Sequence, residues 1–137
     1  MGRILAIDYG LKRTGLAVTD PLKIIATPLT TVDTSALLDY LKAYFAKETV
    51  ERIIIGLPLK DDGNDTHITQ NVKSFSQVLR KHFPTIPLDF VDESRTSIYA
   101  AKSLYESGIK KSKRRDKKLL DTVSATLILQ EFLEEHS

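Results

Sequence analysis

Cysteine and tryptophan are both absent from these 137 residues. Without a thiol there is no disulfide framework, no thiolate zinc centre and no cysteine nucleophile, and such usage fits a reducing compartment. Aromatic residues amount to 7% and show no clustered platform on which single-stranded bases would stack. Long hydrophobic runs are missing as well. The longest, Ile53 to Leu59, contains Gly56 and Pro58, far short of the roughly 20 residues a bilayer span needs. The N-terminus reads directly into a strand pattern with no signal-peptide core. A cytoplasmic protein with no membrane attachment is therefore expected.

What is present describes a globular chain. Apolar residues make up 42% and charged residues 28%, close to the globular average, and one domain over residues 1–137 is expected from the length. The formal net charge of +2 is unevenly distributed. Lys110 to Lys118 holds seven basic residues and the acid Asp116, a net of +6, which leaves −4 for the rest of the chain. That stretch is where a polyanion could be gripped, although a solvated loop of lysines has the same composition.

Ile4 to Ile7 is a short apolar run closed by Asp8, and Leu16 to Thr19 gives a second strand beyond a wide turn bracketed by Gly10 and Gly15. Ile24 to Val32 reads as a third strand, interrupted near Pro28. Ser35 is a plausible cap for a helix carrying Leu37, Leu38, Leu41, Tyr44 and Phe45 at helical spacing. Arg52 to Leu57 has the continuous apolar character of a strand covered on both faces. A polar loop, Pro58 to His67, leads to a helix from about Thr69 to His82 with Val72, Phe75, Val78 and Leu79 as its stripe. Leu88 to Val91 gives the fifth strand, Thr96 to Ser107 a third helix, and Leu119 to Glu135 the last helix. Early consecutive strands imply an antiparallel start, and later alternation implies parallel crossovers. The expected fold class is α/β, with a five-stranded mixed sheet and helices on both faces.

Three carboxylates stand at the edges of apolar runs. Asp8 closes the first strand, on the side of Ile4 and Ala6 by alternation. Asp92 and Glu93 close the fifth, on opposite sides. Asp121 falls in the first turn of the last helix, in line with Ala125, Ile128 and Phe132. Ligand sites of open α/β sheets gather outside the carboxyl ends of the strands, where Asp8 and Glu93 lie and to which a packed helix could bring Asp121. Acids brought together repel and raise one another's pKa, and hard divalent cations remove that penalty. Three such acids could hold two ions about 4 Å apart, the arrangement used for phosphodiester hydrolysis. Taken singly, each has a structural alternative. Asp8 could cap the glycine turn, Asp121 could complement the helix macrodipole, and Glu93 could pair with Arg95.

Asp8-Tyr9-Gly10 followed by Gly15 also matches the phosphate-binding hairpin of actin-like and sugar-kinase ATPases. Those enzymes close two lobes over ATP, and this chain has room for one.

The run Ala6 to Ala17 resembles the signature of the YqgF/RuvX family. Ile55-Gly56-Leu57-Pro58-Leu59 with Asp62-Gly63, Asp92-Glu93 with Thr96-Ser97, and Asp121 to Ala125 running into Ile128-Leu129-Gln130 resemble its further blocks, in the same order and over nearly the whole chain. The resemblance implies a ribonuclease H-like fold and a nuclease, described both as processing the 5′ end of pre-16S ribosomal RNA and as a Holliday junction resolvase. It places the catalytic and metal-binding acids on Asp8, Glu93 and Asp121, with Mg2+ or Mn2+ as cofactor and two ions expected. One departure is visible: the family's arginine directly after the Asp-Glu pair is replaced by Ser94, and Arg95 comes one position later.

Candidate nucleic-acid contacts are Lys12 and Arg13 in the hairpin turn, Arg95, and Lys110, Lys111, Lys113, Arg114, Arg115, Lys117 and Lys118 in the basic stretch. Lys118 stands within one helical turn of Asp121. His67, His82 and His136 share no spacing that suggests a metal site, and read as surface residues. Expected partners are nucleic acid, pre-ribosomal RNA before a four-way DNA junction, and a pre-ribosomal particle. Junction cutting would call for a two-fold dimer, and no dimer face is visible in the sequence. A non-catalytic nucleic-acid-binding factor on the same fold is the alternative of another class.

Overall fold

The computed structural model describes residues 2–57, 68–92 and 114–136, with residues 114–121 described by their backbone alone. Five strands, β1 (Arg3–Asp8), β2 (Arg13–Thr19), β3 (Ala26–Asp33), β4 (Val50–Leu57) and β5 (Leu88–Asp92), form one sheet in the order β3-β2-β1-β4-β5. The first three pair antiparallel, whereas β1–β4 and β4–β5 pair parallel. This is the mixed sheet expected. Helices α1 (Leu37–Lys47), α2 (Thr69–His82) and α3 (Arg114–Glu135) complete the described elements.

Alternation divides the sheet into two faces. Leu5, Ile7, Leu16, Val18, Ile53 and Ile55 point to one face and pack with Leu37 and Leu41 of α1 and Val72 and Leu79 of α2. Ile4, Ala6, Ala17, Ile54 and Val91 point to the other and pack with Ala125, Ile128, Leu129 and Phe132 of α3. The unbroken Ile53-Ile54-Ile55 run thus serves both cores, as a central parallel strand must. Each fully buried Leu or Ile contributes roughly 2 kcal/mol through apolar burial.

Several boundaries differ from the sequence reading, each for a local reason. The β2–β3 turn claims Ile24 and Ile25, which the pattern assigned to the third strand. The Asp20 carboxylate accepts backbone N–H bonds from Leu22 at 3.1 Å and from Ile24 and Ile25 at 2.8 Å, and Lys23 takes a φ of 60°. Those three bonds hold the Asp20 carboxyl below its ordinary pKa, Ile25 contributing most. Pro28 is accommodated because β3 is an edge strand. Its pairing slips between Leu16↔Thr30 and Ala17↔Pro28, which leaves Leu29 as a bulge. Ser35 does not cap α1: it lies within a 3₁₀ turn, Thr34–Ala36, that precedes the helix. On α2, Val78 is exposed and Ser76 is buried in its place, its hydroxyl donating to the Lys73 carbonyl at 2.6 Å.

β2 begins three residues earlier than the pattern suggested, so Gly15 is a strand residue and not the end of a turn. The largest correction concerns the last helix. It starts at Arg114 instead of Leu119, so the second half of the basic stretch is helical and Asp121 lies two turns inside. The Pro58–His67 loop, the Thr96–Ser107 helix, Glu93, Arg95, Lys110, Lys111 and Lys113 fall outside the described residues. Among the described residues, no helix is long and apolar enough to cross a membrane.

Candidate active site

Asp8 is the last residue of β1, the strand at the junction between the antiparallel and parallel halves of the sheet. Its register partner on β2 is Gly15, and Gly15 pairs in turn with Thr31 on β3. Asp8, Gly15 and Thr31 therefore form one row across the sheet, about 5 Å from strand to strand. Because Ala6 and Ala17 pair two residues earlier and both face α3, this row belongs to the α3 face. Gly15 contributes no side chain, so Asp8 and Thr31 supply the side chains of this row on the α3 face.

α3 meets this row at a defined point. The hydroxyls of Thr31 and Thr122 stand 2.6 Å apart in a hydrogen bond that joins residues 91 positions apart in sequence. Thr122 is buried, and its carbonyl accepts from the Thr126 hydroxyl at 2.8 Å. Residue 121 precedes Thr122 in the helix, one turn ahead of the fully buried Ala125. Its backbone thus stands next to the level of the sheet at which Asp8 ends β1.

The turn after Asp8 is fixed from the opposite face. Thr14 is fully buried, and its hydroxyl lies 2.9 Å from that of Thr34. The Thr34 hydroxyl donates to the Gly10 carbonyl at 2.6 Å, and the Thr34 amide donates to the Lys12 carbonyl at 2.9 Å. A Cβ at residue 10 would overlap the Arg13 carbonyl oxygen, so glycine is required there by space alone. Tyr9 closes the base of the turn by packing its ring against Phe75 of α2, centroids 5.1 Å apart. Lys12 is exposed in this turn, and Arg13 is the half-buried first residue of β2.

Of the sequence candidates, Asp8, Lys12 and Arg13 are therefore brought together at the carboxyl end of β1. Asp92 ends β5, and Glu93 follows it outside the described residues. Asp121, Arg114, Arg115, Lys117 and Lys118 are placed along the first half of α3 by their backbone. Among the described residues, no three acidic or histidine side chains gather as a metal site; that set includes neither Glu93 nor the side chain of Asp121. His82 and His136 are exposed, as expected, with the His136 ring stacked on Phe132. A groove of about 470 Å³ runs along β5 and the end of α3, lined by Asp89, Phe90, Val91, Asp92, Phe132, Glu135 and His136, and does not include Asp8.

The threonines are what sequence reasoning missed. Thr14 alternates with Leu16 and Val18 on a core-facing register, and a hydroxyl on such a register must find a partner. That was the available signal, and it does not say which partner.

The chemistry of the donor set fits a hard cation. Asp8 supplies a carboxylate at the end of β1 beside a side-chain-free residue, the type of donor preferred by Mg2+ and Mn2+.

Comparison with known proteins adds a family and a fold. Residues 2–135 match the model of the RuvX family, described as Holliday junction resolvase. A protein of Porphyromonas gingivalis named "Putative pre-16S rRNA nuclease" is 53% identical over 134 residues, covering 98% of this chain and 97% of its own. A Bacteroides thetaiotaomicron protein of the same name is 50% identical over the same shares. Among solved structures, Thermus thermophilus RuvC in complex with a Holliday junction substrate superposes with a TM-score of 0.59 at 12% identity, covering 100% of this chain and 98% of that one. The fowlpox virus Holliday junction resolvase gives 0.52 at 11%, covering 97% and 99%. These two likenesses carry the ribonuclease H-like fold.

Proposed function

The chain belongs to the RuvX family and is a nuclease, and from that premise we propose that it is a divalent-metal-dependent endonuclease that processes the 5′ end of pre-16S ribosomal RNA in the cytoplasm. The observation that carries the reading is the row Asp8–Gly15–Thr31, which sets a strand-end carboxylate on the face covered by the helix bearing Asp121.

In this reading Asp8, Glu93 and Asp121 hold Mg2+ or Mn2+ through carboxylate oxygens. Bound there, the metal supplies Lewis acidity toward a phosphodiester and toward water. The chain's own contribution is placement. The strand end fixes Asp8, the threonine pair Thr14–Thr34 fixes the turn that follows it, and Lys12 and Arg13 stand where a phosphate beside Asp8 would be met. Arg95 and the stretch Lys110, Lys111, Lys113, Arg114, Arg115, Lys117 and Lys118 hold the flanking backbone. Phosphate contacts of this kind orient the substrate and carry no base sequence, so a pre-ribosomal particle is a natural source of specificity.

The family description favours one other substrate, a four-way DNA junction. Two labelled substrates separate the readings: an RNA spanning the leader and 5′ end of 16S ribosomal RNA, and a four-way DNA junction, each incubated with Mg2+ or Mn2+. Cutting of the RNA alone, lost with chelator and in Asp8→Asn, is the expected result. Paired symmetric nicks in the junction would transfer the assignment to a resolvase. Salt-sensitive binding that Asp8→Asn leaves unchanged, with no cutting of either substrate, would make the chain a binding factor.

A further inference from the structure

We propose that the Thr31–Thr122 hydroxyl pair is a positioning device: it sets where along the sheet α3 stops, and so where Asp121 stands relative to Asp8. The inference rests on the reading of Asp8 and Asp121 as parts of one metal site, and adds to it the residues that bring the two together.

Three observations support it. First, the apolar seam beneath α3 is built partly from small residues, with Ala6, Ala17 and Ala125 all fully buried. Contacts between such small residues restrain a helix along the sheet less than interdigitated large side chains do. Second, the Thr31–Thr122 contact is directional, short at 2.6 Å, and formed where Thr122 is buried. Third, Thr31 belongs to the same row as Asp8, through Gly15, and Thr122 is the immediate neighbour of residue 121. One contact therefore ties the level of the helix to the level of the row. A slip of one residue along α3 moves its backbone by about 1.5 Å and turns it by about 100°. A misplacement of about 1 Å at a reacting centre costs about 100-fold in rate.

A purely structural role predicts a different pattern. A hydroxyl pair needed only for stability would lower the melting temperature in Thr31→Val and Thr122→Val and leave turnover per folded molecule unchanged. A positioning role predicts that both variants keep the fold and lose kcat on the pre-16S leader RNA by about 10–100-fold, with KM little altered and a higher Mn2+ concentration needed for half-saturation. Thr31→Ser and Thr122→Ser retain the hydroxyl and recover most of the rate. The double Val variant falls short of the product of the two single effects, because both lose the bond they share.

The experiment measures kcat, KM, direct Mn2+ binding by electron paramagnetic resonance, and thermal melting for the wild type and these five variants. Thr31 lies half-buried on an edge strand, so Thr31→Val decides the matter alone if Thr122→Val does not fold. Val variants that cleave and bind Mn2+ as the wild type does overturn the positioning role, as do Ser variants that fall as far as Val. A wild type that neither binds Mn2+ nor cleaves overturns instead the metal-site reading beneath it, and this proposal with it.

Discussion

The two faces of the sheet are built from the same five strands and packed in different ways. Toward α1 and α2 the side chains are large: Leu5, Ile7, Leu16, Ile53 and Ile55 are fully buried and meet Leu37, Leu41 and Leu79. Toward α3 the central positions are Ala6 and Ala17, met by Ala125, with Ile54, Ile128 and Leu129 on either side. The α3 face then turns polar at its end, at Asp8, Gly15 and Thr31. The difference shows how one small sheet divides its tasks. Bulk on one face supplies stability, and small residues on the other let a helix approach closely enough for its polar residues to meet a strand end.

The largest expected effect falls on the polar end of the α3 face. Asp8→Asn abolishes metal-dependent cleavage, by more than the roughly 10–100-fold that follows even from altering a ligand's supporting group, and leaves the protein folded. A gel assay beside a melting curve reads both. On the other face, Ile55→Ala removes a fully buried side chain from the interior strand β4. It costs about 3–4 kcal/mol by denaturant unfolding, with activity per folded molecule retained. Loss of activity beyond loss of fold would break the division of tasks.

Ala17→Leu sharpens the same comparison. The site is fully buried beneath α3, so overpacking costs about 1–3 kcal/mol. Because the added bulk lifts the helix that carries Asp121, cleavage by the folded fraction falls as well, where Ile55→Ala spares it. The smallest effect belongs to neither face. Asp20 in the β2–β3 turn has its pKa lowered by the backbone N–H bonds of Ile25, Ile24 and Leu22. A depressed carboxyl pKa stabilises the fold above the unfolded value, near 3.9, and that contribution is lost as pH falls through the folded value. Asp20→Asn therefore melts below the wild type at pH 7, and the gap closes below about pH 4. A gap that persists in acid would exclude the charge as its cause.

The sheet was legible because its strands are short apolar runs with a clear face preference. The α2 bounds, Thr69–His82, coincide with the periodicity, and the basic residues of its last turn agree with the helix macrodipole. Beyond these, local and tertiary influences separate. Lys117 and Lys118 lie in the basic stretch that the sequence reading set ahead of the last helix, and basic residues oppose the macrodipole at a helix start. Helix α3 nevertheless begins at Arg114, which removes the helix-terminus explanation for Asp121. Ile24 and Ile25 have strand-forming side chains, and one carboxylate at Asp20 draws them into a turn. Asp8 was recognisable as an acid closing an apolar run. The Thr31–Thr122 contact was not, because it links residues 91 positions apart and no periodicity records it.

A cation shared by the acids at the end of β1 and on α3 is the defining property of the proposed site. Mn2+ titration followed by electron paramagnetic resonance, on the wild type and on Asp8→Asn, Glu93→Gln and Asp121→Asn, measures this without reference to any substrate. The expected result is saturable binding by the wild type that weakens at least tenfold in each variant while all four remain folded. Equal binding by the wild type and the Asp8→Asn and Asp121→Asn variants, or none by any of them, would contradict it.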